Sequence, residues 1–280
     1  MAVVAGYSLS GSTEINYITA VKGAPETLRS MFVSVPTSYD EVYLAMSRKG
    51  ARVLALGYRN LGTLSHQALR SLKRENLESE LKFAGFLILS CPLKKDSLAV
   101  IREIVSSSHR VVMITGDNPL TACHVAKVLK FAKKEYTLIL TCVENEWIWQ
   151  SVDQDLELPL IPADFKRFTS DHVLCVTGLG LSHLYSTNPQ FYHRILPHIR
   201  VYARVNPKQK ELIITSLNGL GYATLMCGDG TNDVGALKHA HVGKFGFALS
   251  FLNEKNNNKN IQLYFFFRCC YSITSTRTDV

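Results

Sequence analysis

Residues 223–240, ATLMCGDGTNDVGALKHA, decide the fold expected of this chain. A short apolar run ends at two glycines that flank Asp229, and a helical pattern begins a few residues later. A buried strand that leads through a glycine-rich turn into a helix is one unit of an α/β sheet. Glycines let the backbone approach a ligand closely, and a helix amino terminus offers unpaired N–H groups to an anion. The stretch therefore predicts an α/β domain with an anion-binding turn at a strand end.

The same succession of an apolar run and a helical pattern occurs along most of the chain. Apolar runs alternate with helical patterns from Leu81 onward, and runs this apolar are typical of strands buried on both faces of a parallel sheet. The stretches are 81–90, 109–117, 136–142, 172–178, 199–205 and 222–230. They predict a doubly wound α/β domain over residues 86–249.

The first third has a different pattern. Residues 15–22 are typical of a strand, and a Gly-Ala-Pro turn leads into a helix that starts near Pro25. A second helix is expected over residues 37–49, followed by an alternating strand over 50–61. Residues 1–85 therefore predict a separate α+β unit.

Composition limits the function classes. The 280 residues are 46% hydrophobic and 19% charged, which favours a packed core over disorder. The net charge is +8, but the basic residues occur as isolated pairs without a stripe of interleaved aromatics, so nucleic acid is not expected as a partner. Seven cysteines without a CxxC pair suggest reduced thiols and no zinc site. No apolar stretch reaches the 18 or so residues of a membrane span.

Polar clusters follow two of the predicted strands. Thr115, Gly116 and Asp117 come after one strand, and the group around Asp229 and Asp233 comes after another. Ligands of open α/β sheets bind outside the carboxyl ends of the strands, and a carboxylate between glycines suits Mg²⁺. Either loop alone is better explained as an Asx turn or a helix cap, but two such loops together weaken that explanation.

A third stretch, VYARVNPKQKELI, adds positive charge at the same edge. Arg204 is expected at a strand end and Lys210 in the first turn of the next helix. Both cations would converge on the clustered acids, and Mg²⁺ with a phosphoryl group would complete the charge balance.

Five segments in this order resemble the cytosolic catalytic region of P-type ATPases. They are KGAPE (22–26), RVLALGYR (52–59), MITGDNPLTA (113–122), ARVNPKQK (203–210) and MCGDGTNDVGALKHA (226–240). The residues of these segments are most similar to those of type V-A, the endoplasmic-reticulum ATPases that dislocate transmembrane helices. The resemblance covers residues 10 to 243. Each segment alone would be weak, but their joint occurrence is specific.

The resemblance implies the architecture and the ligands. Residues 1–85 would be the C-terminal part of a nucleotide-binding domain, and 86–249 a haloacid-dehalogenase-like phosphorylation domain without its first strand. Residues 250–280 would be a divergent tail. ATP and Mg²⁺ are the implied cofactors, and the intact protein would act on transmembrane helices at the cytosolic face of the endoplasmic reticulum membrane.

The resemblance also implies a role for each matched residue. The implied roles are nucleotide contacts by Lys22 and Arg52, binding of nucleotide and phosphoryl group by Thr115, Gly116 and Asp117, neutralisation of the phosphorylated aspartate by Lys210 with Arg204, a phosphoryl contact by Asn232, and metal binding by Asp229 and Asp233. Asp233 would also hold Lys210.

Departures from the family pattern leave enzymatic activity open. The nucleophile segment Asp-Lys-Thr-Gly-Thr does not occur among the ten aspartates, so this chain is expected to be inactive alone. Cys91 stands where other types carry an aspartate, and His241 where the family usually has one. The alternatives are a stand-alone haloacid-dehalogenase-like phosphohydrolase and a non-catalytic phosphate-binding module. A predicted strand ending in Asp-x-Asp would favour the phosphohydrolase, and none is predicted.

Overall fold

The computed structural model describes residues 1–8, 14–90, 92–131, 134, 136–228, 230–245 and 263–267. The chain divides at Pro92 into two compact units. Among the described residues, no helix is both long enough and apolar enough to cross a membrane. The four described cysteines, Cys123, Cys142, Cys175 and Cys227, are free thiols.

The first unit is built on one sheet. Its described strands are β1 (Ala2–Tyr7), β2 (Asn16–Gly23), β3 (Phe32–Ser34), β4 (Arg52–Thr63) and β5 (Leu81–Leu89), and its helices are α1 (Pro25–Leu28), α2 (Tyr39–Arg48), α3 (His66–Ser71) and α4 (Arg74–Leu77). The strand order is β1-β2-β4-β5-β3, and every pair is antiparallel except β3 with β5.

The core of the first unit explains the local structure around Pro25. Tyr39 is buried beside Val21 and Leu28, and its hydroxyl donates a hydrogen bond of 2.9 Å to the Pro25 carbonyl oxygen. Burial raises the pKa of Tyr39 to about 12. The helix predicted from Pro25 is a single turn, and it passes through a short 3-10 turn into β3.

The prediction that residues 81–90 form a strand of the parallel sheet is wrong. In the structure β5 runs antiparallel to β4, with Arg52 opposite Leu89, and therefore completes the sheet of the first unit. The apolar composition of this strand resembles that of the parallel strands, so its sequence did not distinguish the two partners.

The second unit contains a larger sheet between helices. Its elements are α5 (Ser97–Ser106), β6 (Arg110–Ile114), α6 (Pro119–Val128), β7 (Tyr136–Val143), β8 (Glu146–Ser151), β9 (Glu157–Pro159), α7 (Phe165–Asp171), β10 (His172–Thr177), α8 (Gly178–Thr187), α9 (Pro189–Ile195), β11 (Ile199–Ala203), α10 (Pro207–Gly219), β12 (Ala223–Gly228), α11 (Val234–His239), β13 (Val242–Phe245) and β14 (Leu263–Phe267). Within the described residues, nine strands are ordered β13-β12-β14-β6-β11-β10-β7-β8-β9.

The neighbouring strands from β13 to β7 are parallel, as predicted for an α/β domain. The antiparallel extension by β8 and β9 was not predicted. Its turn residues Glu144 and Asn145 both have positive φ, 50° and 69°, as a two-residue hairpin of type I′ requires. Glu-Asn is an uncommon sequence for such a turn, which is why the hairpin signal was weak.

Strand β14 comes from the segment described above as a divergent tail. It lies between β6 and β12 and runs parallel to both, with Phe265 opposite Val111 on one side and Leu225 on the other. The tail therefore contributes an interior strand, which neither its composition nor the family resemblance predicted.

Candidate functional site

The candidate site lies at the carboxyl edge of the parallel sheet. Strands β6, β11 and β12 are parallel members of this sheet, and the loops after them carry Thr115, Arg204 and Asn232 respectively. The carboxyl ends of parallel strands share one edge, where ligands of open α/β sheets bind. The topology thus brings the three sequence segments of the second unit to one edge.

The loop after β6 is an ordered turn. The Thr115 hydroxyl donates a hydrogen bond to Asp117 Oδ2 at 3.1 Å and accepts one from the Asp117 N–H at 3.1 Å. Asn118 caps α6 by accepting a hydrogen bond from the Leu120 N–H at 2.9 Å, and Pro119 fits the first helical position. The Asx-turn and cap explanation is therefore correct for this loop, and it describes how Asp117 is oriented.

The loop after β11 is joined to the loop after β6 by backbone hydrogen bonds. The Arg204 N–H donates to the Asp117 carbonyl at 3.1 Å, and the Val205 N–H donates to the Thr115 carbonyl at 3.2 Å. Arg204 is exposed, has a φ of 52°, and donates from Nη1 to the Gly116 carbonyl at 3.2 Å. This guanidinium therefore lies against the Thr115–Asp117 turn.

Helix α10 places Lys210 in its first turn. A reciprocal capping box between Asn206 and Gln209 fixes the start of the helix, with hydrogen bonds of 2.9 and 3.0 Å. The Gln209 amide also donates to the Gly178 carbonyl at 2.7 Å and to the Ser182 hydroxyl at 3.0 Å. Sequence reasoning missed this role of Gln209, although the Asn-x-x-Gln spacing of a capping box was available as a signal.

Lys210 and Asp233 form a buried ion pair. Lys210 Nζ lies 2.7 Å from Asp233 Oδ1, and the two side chains are 4% and 0% exposed. Charges this buried are stable only when paired and hydrogen-bonded. The pair joins the first turn of α10 to the turn after β12.

Gly228 leaves space for the Asp233 side chain. A Cβ atom at Gly228 would lie 2.6 Å from Asp233 Cβ and 2.9 Å from its Oδ2, so only glycine fits between this side chain and the strand. Asn232 lies in the same 3-10 turn and is exposed. Asp229, the predicted magnesium ligand, lies outside the described residues, as does Cys91.

Lys22 and Arg52 belong to the first unit. Lys22 on β2 is opposite Leu56 on β4, and Arg52 is four residues from Leu56, so both side chains project from the same face of the sheet. Both residues are exposed, while Val21 and Val53 of the opposite face are buried. Four residues of strand correspond to about 13 Å. Both cations therefore lie on the exposed face of this sheet.

The described residues of the site offer few of the oxygen ligands that Mg²⁺ requires. No group of three or more His, Cys, Asp or Glu side chains suited to a metal occurs among the described residues. Asp233 is fully buried, and its Oδ1 is held by Lys210, so its contacts are those of an ion-pair partner. Of the described residues in the turn after β12, the exposed Asn232 offers an amide oxygen to a hard cation.

Comparison with known proteins identifies the family. No family model matches the chain. The endoplasmic reticulum transmembrane helix translocase of Saccharomyces cerevisiae is 46% identical over 232 residues, which are 80% of this chain and 19% of that protein. The translocase of Aspergillus fumigatus is 45% identical over 251 residues, 86% of this chain and 19% of that protein. The chain belongs to the type V P-type ATPases.

A plant relative matches with similar identity and coverage. The probable manganese-transporting ATPase of Arabidopsis thaliana is 42% identical over 240 residues, 85% of this chain and 20% of that protein. The chain thus spans about a fifth of the length of these P-type ATPases. The family resemblance inferred from the five segments is confirmed.

Proposed function

We propose that this chain is part of the cytosolic catalytic region of an endoplasmic reticulum P-type ATPase. The second unit would be the haloacid-dehalogenase-like phosphorylation domain, and the first unit part of the nucleotide-binding domain. The observation that carries the proposal is the buried Lys210–Asp233 pair at the carboxyl edge of the parallel sheet. A buried cation that is held in place by a carboxylate is suited to stabilise negative charge that develops on a phosphoryl group.

The contacts of Lys210, Asp233, Arg204 and the Thr115–Asp117 turn support the roles proposed for them. Asp233 holds the ammonium group of Lys210 in place, and Lys210 supplies positive charge to the phosphoryl group. The Thr115–Asp117 turn and the Arg204 guanidinium, which are bonded to each other, contact the phosphoryl oxygens and the nucleotide. Asn232 contacts the phosphoryl group from the other loop.

Magnesium would be held by Asp229, with the amide oxygen of Asn232 as a further donor. When bound, the ion supplies charge neutralisation at the phosphoryl oxygens. The buried contact with Lys210 supports a positioning role for Asp233 and gives no support to its predicted role as a metal ligand. ATP would contact the first unit at Lys22 and Arg52. Both side chains project from the same exposed face of the sheet, and their positive charges suit a triphosphate.

The intact protein would work at the endoplasmic reticulum membrane. The fungal relatives are named as transmembrane helix translocases of this organelle, and the plant relative as a probable manganese-transporting ATPase. We favour transmembrane helices as the substrate because the fungal proteins share 45–46% of the aligned residues with this chain.

The chain alone is expected to lack ATPase and phosphatase turnover. Incubation of the purified chain with γ-labelled ATP and Mg²⁺, followed by an acid quench, should leave no hydroxylamine-sensitive label. A label mapped to Asp117 or Asp233 would contradict this and favour the stand-alone phosphohydrolase. The single Asp-x-Asp of the sequence, Asp153 to Asp155, does not favour it, because it follows β8, whose last residue Ser151 pairs with Leu138 near the amino end of β7.

A chimera tests the proposal directly. Residues 16–243 of this chain would replace the aligned segment of the Saccharomyces cerevisiae translocase, and phosphoenzyme formation from γ-labelled ATP would be measured. The chimera should be phosphorylated, and Lys210→Ala should slow the reaction by roughly a hundredfold or more, the usual scale for deleting one preorganised electrostatic contact. Lys208→Ala is the matched control, because Lys208 is exposed in the same helical turn. Equal rates for the two variants would contradict the role of Lys210.

A further inference from the structure

Strand β14 fills the third position from one edge of the described nine-stranded sheet, between β12 and β6. Its backbone pairs with β6 from Tyr264 opposite Arg110 to Phe267 opposite Met113. On the other side it pairs with β12 from Leu263 opposite Ala223 to Phe266 opposite Met226. Without this strand, β12 and β13 would share no hydrogen-bonded neighbour with the rest of the described sheet.

This position separates the two halves of the candidate site. Strand β6 leads into the Thr115–Asp117 turn, and β12 leads into the turn that contains Asp233. Because the strand between them is parallel to both, its carboxyl end points to the same edge. The strand that occupies the position therefore determines which chemical group the sheet presents between the two loops.

The sequence of β14 is apolar throughout. Its residues are Leu-Tyr-Phe-Phe-Phe, a continuous apolar run without a charged group. The residues Val111, Val112 and Met113 of the neighbouring β6 are each 1% exposed, which is typical of an interior strand. A nucleophilic carboxylate is absent from this five-residue strand.

We propose that the position between β6 and β12 is a strand-binding slot. Residues 263–267 of the same chain fill this slot. They thereby prevent an apolar strand of another polypeptide from binding there. A tethered strand acts at a high effective concentration, so a free strand of equal affinity cannot compete with it. The inference rests on strand pairing and does not depend on ATP binding by the proposed site.

Hydrogen exchange measured by mass spectrometry on the full chain tests the slot. In the wild-type chain, peptides that cover 263–267 should be as strongly protected as peptides that cover β6. Phe265→Pro removes a backbone donor from the middle of the strand and should lower the protection of β6 and β12 by about a hundredfold. Ser275→Pro, which lies outside the strand in the sequence, is the matched control and should leave protection unchanged.

A synthetic peptide of residues 261–267 with added N-terminal lysines provides the second measurement. It should restore the protection of β6 and β12 in the Phe265→Pro chain and should not bind the wild-type chain. Binding of the peptide to the wild-type chain would overturn the closed slot. Rapid exchange of 263–267 in the wild-type chain, which needs no variant to fold, would overturn the inference entirely.

Discussion

Removal of one charge from the Lys210–Asp233 pair should destabilise the second unit strongly. Asp233→Asn leaves the ammonium group of Lys210 without a carboxylate at a position where the side chain is only 4% exposed. Breaking a buried pair in this way costs about 3–5 kcal/mol of unfolding free energy. With a urea m value of about 2 kcal/mol/M, the unfolding midpoint should fall by about 1.5–2.5 M.

Tryptophan fluorescence during urea unfolding is a suitable assay. Both tryptophans of the chain, Trp147 and Trp149, lie on β8 of the second unit, and Trp149 is fully buried. The fluorescence signal therefore reports this unit and not the first. Lys208→Met is the control for loss of a lysine at an exposed position of the same helix, and it should change stability by less than about 0.5 kcal/mol.

A double-mutant cycle separates the ion pair from general disruption. Lys210→Met combined with Asp233→Leu removes both charges, so the double variant should be more stable than the sum of the two single losses predicts. A coupling energy of about 2 kcal/mol or more is expected for residues in direct contact at 2.7 Å. Additive losses, or a midpoint of Asp233→Asn equal to that of the parent, would refute the reasoning.

Three further predictions concern packing and pH. Gly228→Ala should cost about 1–3 kcal/mol because its Cβ would meet Asp233, whereas Gly116→Ala, which faces open space, should be nearly neutral in the same urea assay. Burial and four nearby cations lower the pKa of His198 in the folded state, so the unfolded chain binds a proton first and the second unit should lose stability as the pH falls below about 6.5. His198→Gln should reduce that loss in fluorescence-monitored unfolding. Because the pKa of Tyr39 is raised in the folded state, its hydroxyl ionises first in the unfolded chain, and the stability of the first unit should fall between pH 10 and pH 12. Tyr39→Phe should reduce this fall in unfolding followed by circular dichroism. An unchanged dependence of stability on pH would contradict the prediction.

Local sequence signals were sufficient where they acted within a single element. Lys210 was correctly predicted in the first turn of α10, because the start of a helix is decided by neighbouring residues such as Pro207 at its first position. The alternation of apolar runs and helices likewise predicts the parallel sheet. The converging positions of Thr115, Arg204 and Lys210 follow from the rule that parallel strands share a carboxyl edge.

Pairing between distant segments was beyond the reach of the sequence. The apolar run 81–90 belongs to the antiparallel sheet of the first unit, although its composition resembles that of a parallel strand. The hairpin after β7 depends on two residues in a left-handed conformation, Glu144 and Asn145, that other sequences adopt more readily.

The sequence by itself determined the family, the α/β class of the second unit and the residue types of the candidate site, because motifs, hydrophobic periodicity and helix caps are local properties of the chain. Tertiary structure alone decided that Lys210 and Asp233 are almost fully buried, and that a tail strand enters the sheet between β6 and β12. Both depend on which segments are brought together across long stretches of chain, where burial and backbone pairing are set by three-dimensional neighbours.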